Sequence, residues 1–311
     1  MTADRLTYAH RHRGLDHGWY VHAPTAKRPP VVWPEGKRTA LWITVPIEFF
    51  PLDAPASPVR PLGGLDRGYP DFWTYSNRDY GARIGVYRIM RVLDGLGLRA
   101  TAAVSAAAST HYPRVIDEIA RRNWEIAANG IDMGHVHHGT LDVEHEREWI
   151  RSAREMLTKT SGQVIAGWHS PGHSQSANTL PLLAENGFDY VTDWVNDDMP
   201  YLMQTAAGPL CAMPLTYEWS DRVLLVQHNL TVEDYEAQVL RAFHRLHGEA
   251  GQHGGRILSL SISPWILGYP HRIRALERML GKILDAGSVW HATGVEIVEA
   301  FKKQTPTNGV S

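Results

Sequence analysis

A single cysteine, Cys211, among 311 residues excludes an intrachain disulfide and removes the usual mark of an oxidising compartment. No run approaches the roughly 18 consecutive apolar residues of a membrane-spanning helix. The opening stretch, MTADRLTYAHRHRG, puts charges and histidines where a secretory signal needs an apolar core. These absences predict a cytoplasmic protein without a membrane partner. Neither sign of charge prevails: 31 basic and 33 acidic side chains leave a net −2, so the basic footprint of a nucleic-acid binder is missing. Repeats and low-complexity segments are also absent. What is present is 43% hydrophobic and 21% charged, the balance of a globule with a substantial core. Seventeen histidines justify a search for a site without locating one, since imidazole serves as ligand, proton shuttle or plain hydrogen-bonding group.

Hydrophobic periodicity sets out an alternation of strands and helices. Residues 1–40 are rich in His, Arg, Pro and Gly without a sustained period and read as an irregular arm. Strands are predicted at 41–47, 99–105, 124–128, 164–168, 190–193, 257–262 and 289–293, and helices at 84–96, 113–121, 143–159, 178–185, 232–247, 270–284 and 295–302. Seven or eight βα units are enough to curl a parallel sheet into a barrel. The expected organisation is an α/β protein with one barrel over 41–303 and a frayed tail at 304–311. Pro51 to Asp79 reads as a long loop, and loops of that length are usually functional.

Polar residues crowd the carboxyl ends of the predicted strands, where a barrel builds its active site. Glu48 follows the first strand among Phe49, Phe50 and Pro51. Held between aromatics it would act as general acid or base; the alternative is a charge stepping into solvent. Asn129 follows the third strand, and beyond it His135 and His137 fall on one side of an extended backbone, either as metal ligands with a carboxylate or as part of a histidine-rich loop. Trp168, His169 and Ser170 follow the next strand. Asp193, Asp197 and Asp198 then crowd one loop and need donors, a cation or solvent to coexist. Ser263 and Trp265 close the late apolar strand. Trp73, Tyr75, Tyr80, Trp168, Trp194, Tyr201 and Trp265 are candidates to line an apolar pocket for a small planar ligand, with core packing as the alternative.

Ordered along most of the chain, these segments resemble the polysaccharide deacetylase superfamily, especially its cytoplasmic branch with metal-independent allantoinase and cyclic-imide hydrolases. The resemblance rests on Ile47-Glu48-Phe49-Phe50, Tyr80-Gly-Ala-Arg83-Ile-Gly85, Trp124 to Gly130, Gly167 to Gly172, Gly187 to Asp193, Asp197 to Tyr201 and Leu267 to Ile273. It implies a distorted (β/α) barrel of about seven strands, hydrolysing acetamides, ureides or imides at its mouth, and suggests a homo-oligomer. The chain departs from the family at three points. Asn129 and Met133 stand where metal-using members carry His-x-x-x-His, and amide and thioether suit zinc poorly. Ser263 replaces a late-strand histidine, and His169 stands in the place of an arginine.

The reading that follows is a C–N hydrolase for a small amide, ureide or cyclic imide, without the usual zinc site and without a cofactor. Glu48, Asn129 and His169 are its catalytic group, and Trp168, Ser170, Asp193, Asp197, Asp198, Ser263 and Trp265 contact the small-molecule substrate. The alternatives are a relocated zinc or other divalent site at His135 and His137, and a diverged barrel serving as isomerase, lyase or binding protein.

Overall fold

The computed structural model describes residues 17–53, 57 and 70–305. Residues 1–16 of the expected arm, 306–311 of the expected tail, and most of the first half of the Pro51–Asp79 loop lie outside them. The centre of the fold is β1 (Thr39–Ile47), whose nine residues are all buried, as a strand flanked and covered on both faces requires. It pairs in parallel with β2 (Thr101–Val104), β8 (Arg256–Ser261) and, through its first residues, β9 (Val289–His291). From β2 the sheet runs through β3 (Glu125–Ala128), β4 (Gly167–Trp168), β5 (Tyr190–Val191) and β7 (Gly208–Ala212), all parallel, to β6 (Tyr201–Thr205), which is antiparallel to β7. The path has β6 at one end and β8 at the other, so the sheet curls as a distorted (β/α) barrel without closing. The nine strands among the described residues exceed the expected seven mainly through the β6–β7 hairpin, whose Gly208-Pro209 start and short length hide it from a periodicity reading.

Helices cover the outside. The run α1 (Phe72–Tyr80), a π turn at Gly81–Gly85 and α2 (Val86–Gly95) is continuous; α1 thus occupies the end of the stretch expected to be loop, capped by Asp71, whose side chain accepts from the Thr74 N–H. The glycines of the π turn allow close approach to α8 (Pro264–Leu267): a Cβ on Gly85 would lie 2.0 Å from the Pro264 carbonyl oxygen. Next come α3 (Ala106–His111) and α4 (Pro113–Arg121). Then α5 (Val143–Ser161) runs from the Asp142 cap to left-handed Gly162 and buries Ile150, Ala153 and Leu157 at helical spacing. The set is completed by α6 (Thr179–Glu185), α7 (Val232–His253), α9 (Ile273–Asp285) and α10 (Gly294–Lys302). Within the arm, Trp33 is buried and donates to the Arg256 carbonyl at 2.9 Å. Gln304 holds the Val32 backbone through two hydrogen bonds. Among the described residues no helix is long and apolar enough to cross a membrane.

Candidate active site

Parallel pairing brings the carboxyl ends of the strands to one edge of the sheet, and the backbone bonds there fix the order of the first residues beyond them. Ser105 N–H reaches the Ile47 carbonyl, Asn129 N–H that of Val104, His169 N–H that of Ala128, and Thr192 N–H that of Trp168. Glu48, Ser105, Asn129, His169 and Thr192 therefore leave successive strand tips. Beyond His169 the chain turns through Pro171, and Gly172 (φ 65°) and His173 (φ 57°) are both left-handed. The turn returns the His173 ring edge-on to His169, with centroids 4.4 Å apart.

The Glu48 carboxylate is paired rather than free. Its two oxygens accept from the guanidinium of Arg222 at 2.9 and 2.7 Å, with side chains 5% and 13% exposed. Burial works against the Arg222 cation, but the charge and hydrogen bonds of Glu48 outweigh it and keep the guanidinium protonated beyond its usual range. Arg222 opens a π turn, Arg222–Gln227, and lies 5.6 Å from the centre of the Trp265 ring. Just before it, Asp221 is clamped to the tip of β8: its carboxyl accepts from the Ser263 N–H at 2.6 Å and from the Ser263 hydroxyl at 2.9 Å.

Across the mouth, the Nδ1 of His169 lies 2.6 Å from the Thr192 hydroxyl. The Nδ1 of His173 is buried without a hydrogen-bond partner and stands 3.8 Å from an oxygen of Asp193. Asp193 also accepts from the Ser170 N–H at 2.9 Å and the Gln175 amide at 2.7 Å. Burial, then His173 and Arg222, holds the His169 imidazole well below its usual range. Burial does the same to His173, against the pull of Asp193 and Glu48. Both rings are therefore neutral near pH 7. Glu48, His169, His173, Tyr217, Arg222 and Ser261 line a cavity of about 30 Å³, room for about one water molecule.

The expected site residues thus divide. Glu48 and His169 face one cavity, with the Glu48 carboxylate paired to Arg222. Asn129 is fully buried beside His169, its amide oxygen and nitrogen without partners, and does not line the cavity. Ser263 holds Asp221, and Trp265 carries the Arg78 guanidinium 3.5 Å above its ring; both stand behind Arg222. Trp168 is core, its Nε1 donating to the Ser170 hydroxyl at 2.8 Å. Asp197 leaves the group altogether, accepting from Arg28 at 2.6 Å and from the Met199 N–H at 2.9 Å, and Asp198 is exposed. The expected aromatic pocket is not assembled: Trp73 is 64% exposed, Tyr80 stacks on Tyr269, and Trp194 and Tyr201 pack on Tyr20.

The alternative metal site expected at His135 and His137 is not assembled. His135 Nδ1 meets Asp132 at 2.8 Å, whereas His137 Nδ1 meets Glu146 at 2.9 Å. The buried Glu146 also accepts from Ser176 and Thr179, so His137 belongs to a structural network and the pair does not converge. The usual family position does not fit a zinc ion either. Met133 packs on Phe50, Asn129 offers an amide, and both Glu48 oxygens are engaged by Arg222. Sequence reasoning singled out neither Arg222 nor His173. For Arg222 the signal was slight, an arginine between Asp221 and an apolar run. For His173 it was plain: His169 and His173 are themselves spaced His-x-x-x-His, one strand later than expected.

Residues 74–191 match the polysaccharide deacetylase family model. The fold of the chain is similar to a crystal structure titled a probable polysaccharide deacetylase from Pseudomonas aeruginosa PAO1, with 25% identity, TM-score 0.80, and 90% of this chain and 96% of the other covered. The crystal structure of Puue allantoinase is equally similar, at 25% identity and TM-score 0.80, covering 92% and 99%. A Schizosaccharomyces pombe (strain 972) protein, also named among polysaccharide deacetylases, is 24% identical over 250 residues, 73% of this chain and 76% of its own. The matched segment includes strands β2 to β5, and so carries Asn129, His169 and His173, while Glu48 and Arg222 enter the mouth from outside it.

Proposed function

We propose that the protein hydrolyses a non-peptide C–N bond of a small amide, ureide or cyclic imide at the mouth of the barrel. The observation that carries this reading is the cavity itself, where a charge-locked guanidinium faces two neutral imidazoles. Hydrolysis of an amide places negative charge on the carbonyl oxygen while water loses a proton. Arg222, held in orientation by its two bonds to Glu48, supplies fixed donors for that oxyanion, and fixed donors cost no reorganisation during reaction. A neutral imidazole accepts the proton, a task for His169 or His173 rather than Glu48, whose charge serves Arg222. The likeness to an allantoinase favours a compact planar substrate over a polymer.

The test is a panel of five- and six-membered cyclic imides and ureides with small N-acetyl amines. Ring opening or deacylation of at least one member is expected. Arg222→Lys should lose about two to three orders of magnitude in kcat, because a point charge cannot reproduce the guanidinium fork. A folded protein inert across the whole panel would overturn the reading, and tight retention of a panel member without turnover would make it a binding protein instead.

A further inference from the structure

The structure assigns a divalent-metal site to His169, His173 and Asp193, a position one strand removed from the one at which the sequence pattern looks for it; the assignment deepens the hydrolase reading and rests on it only for its purpose. One ring nitrogen of each histidine and one carboxylate oxygen of Asp193 lie within 4.8 Å of one another. Two imidazoles and a carboxylate are the donor set that zinc and the neighbouring first-row ions take, leaving positions open for water. Among the described residues this is the one such convergence of three His, Cys, Asp or Glu ligands.

Three further features fit the ligand role. His173 presents a buried Nδ1 with no hydrogen-bond partner toward Asp193, which is costly unless something is bound there. It is held in a left-handed conformation, φ 57°, uncommon for a residue with a side chain. The other two ligands have the outer support that metal sites display. Thr192 engages His169 Nδ1, leaving its Nε2 as the available nitrogen, while Ser170 N–H and the Gln175 amide fix both oxygens of Asp193. At the third strand, by contrast, His135 and His137 already spend Nδ1 on separate carboxylates.

A divalent ion bound there would lower the pKa of its water to near neutrality and so take over the proton removal that the metal-free reading gives to His169 or His173, since both rings then spend a nitrogen on the ion. Arg222 and Glu48 line the same small cavity as His169 and His173, so the assignment places water activation and oxyanion binding around one cavity.

Purified protein stripped with chelator and titrated with Co(II) or Zn(II) should take up one equivalent, read by elemental analysis and by the visible d–d bands of the cobalt form. His173→Gln and Asp193→Asn should each weaken binding by at least about a hundredfold, more than the 10- to 100-fold typical of outer-sphere changes. His135→Gln should leave it unchanged. No stoichiometric uptake by the folded wild type, or undiminished uptake by both site variants, overturns the assignment. If a site variant does not fold, X-ray absorption of the metal-loaded wild type decides: two imidazoles in the ligand shell support it, and none overturns it. Hydrolysis without metal uptake sinks the site and leaves the hydrolase reading standing; metal uptake without hydrolysis does the reverse.

Discussion

Glu48→Gln separates a base from a brace. Removing one partner of a buried ion pair typically costs about 3–5 kcal/mol, mostly through the charge left behind. The Glu48 and Arg222 side chains are 5% and 13% exposed, and Asp221 and Trp265 still flank the cation afterwards, so we expect the lower end, about 3 kcal/mol. At about 2.1 cal/mol/K of unfolding entropy per residue, this lowers Tm by roughly 5 °C for a chain of this length. Thermal melts of both proteins at pH 7 would measure it. The double variant Glu48→Gln/Arg222→Gln leaves no unpaired charge, so its Tm should exceed that of the single variant, although the oxyanion donor is gone. Turnover should be lost in both. A single variant melting within about 1 °C of wild type, yet inactive, would refute the argument and restore Glu48 as the base.

Other expectations follow from the surroundings of the site. Burial lifts the Asp221 carboxyl from 3.8 to about 7, against the pull of the Ser263 donors and Arg222. A value higher in the folded chain means that its contribution to stability is full below 3.8 and is lost as pH rises toward about 7. Asp221→Asn should remove that component of the decline in Tm across this window, and identical slopes in the two proteins would exclude it. Burial also raises the Cys211 thiol to about 12, so a thiol-specific disulfide reagent at pH 8 should label it only after unfolding; prompt stoichiometric labelling of native protein would contradict the burial. Asn129→Leu keeps the side chain close to its original size and removes an amide with no protein partner, each unmet group being worth about 1–3 kcal/mol. Chemical denaturation should show equal or greater stability, and a loss above about 2 kcal/mol would mean that the amide is satisfied in solution.

The barrel was legible because its strands and helices are governed by local pattern. The apolar run of β1 and the spacing of Ile150, Ala153 and Leu157 on α5 require no knowledge of distant residues. The β6–β7 hairpin escaped because five-residue strands containing Gly208 and Pro209 carry little periodic signal. Glu48 and His169 were recognisable as strand-end groups, but their chemistry was not, because it depends on partners far along the chain. Arg222 lies 174 positions from Glu48, and Thr192 lies 23 from His169. Asp197 shows the converse error: proximity to Asp193 in sequence suggested a shared site, whereas Arg28 draws its carboxylate elsewhere.

The departures at Asn129, Met133 and His169 acquire a common explanation if the centre of polarity has moved by one strand. Neighbouring strands are about 4.8 Å apart, so histidines leaving β4 instead of β3 shift the reacting position by about that distance along the sheet edge. The shift takes it toward Asp193 at the tip of β5. A donor for the carbonyl oxygen must then come from elsewhere around the cavity, and Arg222 supplies it from the segment beyond β7, where Asp221 ties that segment to Ser263 and Glu48 fixes the guanidinium. Under this proposal the late-strand serine is no failed histidine. It anchors the arginine that the displaced centre requires, so the departures at β3 and β8 and the placement of Arg222 are parts of one arrangement.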